Sequence, residues 1–167
     1  MSLEGFLRCS DFNPLRASSL FRFKKIENYT VERSAILINK KSNKVLDAPN
    51  ASRKKGEKLI QWEKNKRWNQ RWYFEKGSSG YFIKNTMNGL VVDICGESKK
   101  DGAKIIQWNQ TGNTNQQWLI EKLGNNVYRI RSCHEPSLFL AIRKQSTEDG
   151  ERVEVCSEDN PSMQWII

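Results

Sequence analysis

The sequence has little of what most catalytic chemistry requires. There is one histidine in 167 residues, His134. Its neighbour is Cys133, and adjacent residues on a strand or turn point apart, which argues against a nucleophile and base pair. No glycine-rich phosphate loop and no nucleophile elbow is present. The four cysteines, Cys9, Cys95, Cys133 and Cys156, lack the paired short spacings of a zinc site, and their sequence positions do not decide any disulfide pairing. No apolar run approaches the roughly 18 residues of a membrane span. Charges are scattered through the first thirty residues, which is not the pattern of a secretory signal, and no compartment follows from the chain. Sustained helical periodicity is missing as well. The expectation is a chain with no catalytic residues, no metal site and no cofactor.

What is present is positive charge, and it is concentrated. The 28 lysines and arginines exceed the 19 acids by nine. Between Arg33 and Ser78 there are 13 bases against four acids, so this segment holds the whole surplus and the rest of the chain balances. A focused basic segment attracts anionic partners, although a solvated, solubilising face would look the same.

The strongest signal is internal repetition. Lys58-Leu-Ile-Gln-Trp62 followed by Asn69-Gln70-Arg71-Trp72 returns 46 residues later as Lys104-Ile-Ile-Gln-Trp108 followed by Asn115-Gln116-Gln117-Trp118. Asp47 and Asp93 each precede the first tryptophan of their unit by 15 residues, and Gly56 and Gly102 precede it by six. A third, eroded copy closes on Met163-Gln164-Trp165. There Ala141 replaces the aspartate, Cys156 the first tryptophan and Ser162 the asparagine, while Gly150 keeps its offset. Apolar register survives in all three copies and the polar set in two, as expected of a shared core with two decorated sites and one blank.

Each unit reads as four short β-rich runs, twelve in all, separated by Gly, Asn and Asp turns. Units of about 45 residues are too short to bury a face alone, and closure about a threefold axis is the simplest arrangement of three. The expected boundaries are an N-terminal extension over 1–32 and a repeat region over 33–167, with units of about 33–78, 79–125 and 126–167. The extension carries Phe6, Leu7, Phe12, Leu15, Leu20, Phe21 and Phe23, too apolar for an idle tail, and is expected to cover a face of the fold or to continue a neighbouring domain.

The spacing of these residues resembles the ricin B-type lectins with their Gln-x-Trp repeats. That resemblance implies an all-β fold, a β-trefoil of three four-stranded units with pseudo-threefold symmetry. It implies that Trp72, Trp118, Trp165, Gln70 and Gln116 are scaffold. It places one shallow sugar site in the first unit, at Asp47, Trp62 and Asn69, and one in the second, at Asp93, Trp108 and Asn115. The third unit is expected not to bind. Galactose-type glycans are the implied partners, and such modules are often part of larger multidomain proteins.

The chemistry suits that assignment. A carboxylate accepts hydrogen bonds from two vicinal hydroxyls, an indole gives a flat apolar platform for C–H groups, and an amide both donates and accepts. Competing roles exist for each: an aspartate capping a turn, an asparagine holding a positive φ, a tryptophan filling the core. Trp68, opposite Thr114 of the second unit, is a local feature of the first. Two departures from the family pattern stand out. Ile60 and Ile106 occupy a position that is often a polar sugar contact, with Gln61 and Gln107 one step later and facing away. The intra-unit cysteine pair is absent. The alternative function is a trefoil that docks an anionic partner, such as a sulfated glycan, phospholipid or nucleic acid, or a protein, through its basic first unit. Asn28, Asn50 and Asn109 open glycosylation triplets, a pattern common by chance.

Overall fold

The structure, a computed structural model, describes residues 24–26, 29–31 and 34–167. The apolar residues of the extension from Phe6 to Phe23, together with Cys9 and Asn28, lie outside the described residues. A short hairpin, β1 (Lys24–Ile26) with β2 (Tyr29–Val31), precedes the repeat.

Four strands form in each unit. The first unit holds β3 (Ile38–Asn39), β4 (Val45–Asp47), β5 (Ile60–Trp62) and β6 (Trp72–Lys76). The second holds β7 (Tyr81–Asn85), β8 (Val91–Ile94), β9 (Ile105–Trp108) and β10 (Trp118–Gly124). The third holds β11 (Val127–Ser132), β12 (Phe139–Ile142), β13 (Val153–Cys156) and β14 (Trp165–Ile166). The fourth strand of each unit pairs antiparallel with the first strand of the next, β6 with β7 and β10 with β11, and β14 returns to β3. Further pairs join β7 to β10 and β11 to β14, while Ala35 and Trp72 exchange backbone hydrogen bonds of 2.6 and 2.9 Å. These pairings close a six-stranded barrel and leave it no open edge.

The other strands form the hairpins β4–β5, β8–β9 and β12–β13, which lean on one another across the threefold axis. The same contact recurs three times. Gly56 N–H donates to Gln107 O at 2.9 Å, Gly102 to Val155 O at 2.8 Å and Gly150 to Gln61 O at 2.9 Å. All three glycines have φ between 74° and 81°, a region that side chains disfavour.

Alternation along the strands sends one set of side chains inward. Trp72 and Phe74 of β6 are buried while Tyr73 and Glu75 between them are not. Trp72, Trp118 and Trp165 are fully buried in one core with Leu37, Ile83 and Ile130. Their indole N–H groups donate to Leu46 O (3.0 Å), Val92 O (3.1 Å) and Leu140 O (2.9 Å), so each of the three buried indoles has an acceptor. This is a β-trefoil, and these tryptophans occupy the scaffold role expected of them.

Candidate functional site

Two short 3₁₀ turns per unit set the site residues, and neither kind shows in the hydrophobic pattern. In the first unit, Pro49–Ala51 follows β4 and Trp68–Gln70 precedes β6. In the second, Cys95–Glu97 follows β8 and Thr114–Gln116 precedes β10. The turn at Trp68–Gln70 is pinned by its middle carbonyl, since Asn69 O accepts from Ala48 N–H at 3.1 Å and from Asn85 Nδ2 at 3.1 Å.

The structure brings Asp47, Trp62 and Asn69 to one cleft of about 250 Å³, together with Ile60, Asn65 and Arg67. Asp93, Trp108 and Asn115 line a second, larger cleft of about 430 Å³ with Ile106, Glu97, Asn113 and Gly56. Trp62 and Trp108 are 43% and 39% exposed, so they are not core residues. Gly150 of the third unit lies against the Trp62 ring and Gly56 of the first against the Trp108 ring, at 3.6 and 3.4 Å from where a Cβ would stand. The second cleft is therefore lined by two units, whereas the first is lined by its own unit and has Gly150 of the third against its indole.

The carboxylates sit at the bottom, 3% and 5% exposed. Gln70 Nε2 donates to Asp47 Oδ2 at 2.6 Å and to Glu63 O at 2.8 Å, and its Oε1 accepts from Asn65 N–H at 2.8 Å. Gln116 repeats this on Asp93 Oδ2 at 2.6 Å, Asn109 O at 2.7 Å and Thr111 N–H at 2.8 Å. The scaffold glutamines thus also grip the aspartates, a role the 23-residue separation concealed. One carboxylate oxygen is held in each site, while Oδ1 makes no hydrogen bond among the described residues.

Asn69 Nδ2 donates to Asp47 Oδ2 at 3.0 Å and to Ala48 O at 3.1 Å, and Asn115 Nδ2 to Ile94 O at 3.4 Å. These partners accept only, which fixes the amide orientation and leaves Oδ1 of both asparagines buried without a donor. Neither asparagine has a positive φ. Neither aspartate caps a turn; their partners are side-chain amides. Burial raises the Asp47 carboxyl above its usual range against the hydrogen bonds from Gln70 and Asn69. Asp93 is pushed up to about 6 by burial, opposed by Gln116 and Asn115.

Gln61 and Gln107 face away from the clefts, as expected, and both are fully buried. Gln61 Nε2 donates to Ser146 O and Glu148 O at 3.0 and 2.8 Å, and Gln107 Nε2 to Ser52 O and Lys54 O, both at 2.9 Å. They tie loops down.

The third unit is filled where the others are hollow. Ala141 and Met163 are buried with Phe139 in a small apolar cluster, and Cys156 packs against it. Phe139 lies opposite Cys156 in the strand pair, where the other units pair Val45 with Trp62 and Val91 with Trp108. Ser162 Oγ donates to Ile142 O at 3.1 Å. Cys95 and Cys156 are free thiols. Among the described residues no group of His, Cys, Asp and Glu is arranged to hold a metal, and no helix is long and apolar enough to cross a membrane.

Comparison with known proteins gives a consistent picture of the fold. A model of the ricin-type beta-trefoil lectin domain-like family matches residues 18–108 and 68–156. The designed threefold-symmetric protein ThreeFoil is 32% identical with a TM-score of 0.74, over 78% of this chain and 94% of that one. An exo-beta-1,3-galactanase from Clostridium thermocellum is 34% identical with a TM-score of 0.76, over 80% of this chain but only 29% of the enzyme. The Macrolepiota procera ricin B-like lectin, solved in complex with lactose, shares the fold at 19% identity and a TM-score of 0.68, over 80% of this chain and 93% of that one. Comparison with curated proteins finds no match. Repeat, barrel and family model agree, and the chain belongs to the ricin-type β-trefoil lectin domain-like family.

Proposed function

We propose that the protein is a carbohydrate-binding module, not an enzyme, with one shallow sugar site at Asp47, Trp62 and Asn69, a second at Asp93, Trp108 and Asn115, and a third unit that does not bind. Membership of a lectin-type family supports carbohydrate binding in general. The observation that carries the two sites is their duplication. In each cleft a half-exposed indole lies with a carboxylate whose Oδ1 has no donor among the described residues and an asparagine whose buried Oδ1 has none among them either. A sugar matches this inventory, with C–H groups for the indole and hydroxyl donors for the acceptors.

Galactose-type sugars are the class favoured, on the lactose bound by the Macrolepiota lectin and the galactan named for the Clostridium enzyme. Sites this open bind weakly one at a time, and a branched glycan engaging both gains through effective concentration. The test is Asp47→Ala combined with Asp93→Ala. Loss of glycan-array binding by a variant that still melts cooperatively is expected, and unchanged binding would remove both sites.

A further inference from the structure

The two clefts share a plan but not a charge. The loop 49–55 beside the first cleft carries Arg53, Lys54 and Lys55 and no acid, whereas its counterpart 95–101 balances Lys99 and Lys100 with Glu97 and Asp101. The loop 63–67 carries Lys64, Lys66 and Arg67 against Glu63, whereas 109–113 has no charge. At the cleft itself the contrast is sharper. In the second site Glu97 and Asn113 line the opening, and Asn113 Nδ2 donates to Glu97 Oε1 at 2.8 Å. The equivalent residues of the first site, 46 positions earlier, are Ala51 and Arg67, and both line its cleft.

Arg67 is exposed and makes no salt bridge among the described residues. The neighbouring acid of the third unit is committed, since Asp149 Oδ1 takes Lys44 Nζ at 2.9 Å and Glu63 N–H at 2.8 Å. A guanidinium at the rim of a sugar cleft, with Ala51 where the second site has Glu97, with the Asp47 carboxylate at the floor held by Gln70 and Asn69, and with lysines on the same loop, forms a receptor for a planar or tetrahedral oxyanion.

We infer that the first site selects a sugar bearing an anionic substituent, a sulfate or a carboxylate, read by Arg67 at the cleft rim, whereas the second site takes the neutral sugar and repels the anionic one through Glu97. This rests on the proposed function, because it assigns a substrate class to each of its sites. A guanidinium within contact of an exposed anion in water supplies about a five- to tenfold preference. Salt weakens it, because the rim is open to solvent.

The probe is a glycan array that presents each neutral glycan beside its sulfated or carboxylated counterpart, read at 50 and 300 mM salt as about the span over which exposed charges become screened. The first site is isolated with Asp93→Ala, or with Trp108→Ala if the former melts at room temperature, and the second with Asp47→Ala or Trp62→Ala. The first-site protein is expected to favour the anionic member of a pair about tenfold at low salt, and the second-site protein the neutral member. Exchanging the rim by Arg67→Asn with Ala51→Glu is expected to bring the first-site ratio to about one or below. Equal binding of both members by the first-site protein, or a preference that survives the exchanged rim, overturns the inference and leaves the sugar sites standing. Anionic binding that persists in Asp47→Ala, on the array or to DNA or phosphatidylserine vesicles, overturns it as well, because the charge would then act without the cleft. Silence of the unaltered protein on every pair overturns the sugar sites themselves, and the inference with them.

Discussion

Asp93→Asn is expected to stabilise the protein at neutral pH and to remove part of its pH dependence. The native carboxyl is raised from 3.8 to about 6 because burial penalises its charged form. The raised value means that the folded state holds the proton more tightly than the unfolded chain. Asp93 therefore supports the fold fully below about pH 4 and progressively less as pH rises through 6, where the native state must carry a buried charge. A displacement of this size corresponds to about 2–3 kcal/mol. Asparagine keeps an oxygen for Gln116 Nε2, now at 2.6 Å from Oδ2, and carries no charge to desolvate. Urea unfolding of both proteins at half-unit steps from pH 4 to 7.5 reads the effect. The stability difference is expected to be small at pH 4, to grow in favour of the variant up to about pH 6.5 and then to level off. A difference that stays flat across this range, or that favours the unaltered protein as pH rises, would refute the assignment of a desolvated carboxylate at the cleft floor. The same proton competes with sugar. Hydroxyl donors need the ionised form, so the affinity of the second site is expected to fall about tenfold at pH 5.

Two further pairs of substitutions separate platform from scaffold and the third unit from the first two. Trp118→Ala opens the common core and is expected to cost about 3–5 kcal/mol, whereas Trp108→Ala, starting from a half-exposed ring, is expected to cost about 1 kcal/mol while abolishing sugar binding at its site; calorimetric melting beside a glycan titration checks both. Ala141→Asp places a carboxylate among Phe139 and Met163 with no glutamine to hold it and is expected to cost about 3 kcal/mol. Adding Met163→Gln is expected to recover about 1–2 kcal/mol, measured as the coupling in a double-mutant cycle.

The repeat offsets made the units, the strand number and the closing tryptophans legible, because a fixed register is a tertiary constraint written directly into the chain. Side-chain direction was less legible. In Ile60-Gln61-Trp62, hydrophobicity alone would bury both ends and expose the middle, whereas Gln61 is the fully buried residue, Ile60 is half-buried and Trp62 is exposed. Gln61 goes in because its amide is fully satisfied by Ser42 Oγ, Ser146 O and Glu148 O, and the strand period then turns Trp62 out. The 3₁₀ turns were invisible for another reason: three residues are too few to carry a period. The grip of Gln70 and Gln116 on the aspartates depends on where a turn aims a side chain, which spacing does not encode. Arg67 and Glu97 as lining residues could have been found by sliding one unit on the other and asking which columns change charge.

The glycines at the threefold axis make the eroded unit indispensable. Gly150 belongs to the unit that has Ala141 and Cys156 in place of the aspartate and first tryptophan, yet it backs Trp62 of the first, while Gly102, whose unit faces Cys156 in place of a tryptophan, would meet nothing within 4 Å of an added Cβ. The placement of the Trp62 indole in the first unit is thus a property of the closed ring and is not carried by that unit alone. A first repeat cut from this chain would lose the neighbour that Trp62 rests against even if it kept every polar contact. The third unit thus contributes to its neighbour through the Gly150 turn, whatever its own Ala141, Cys156 and Ser162 do.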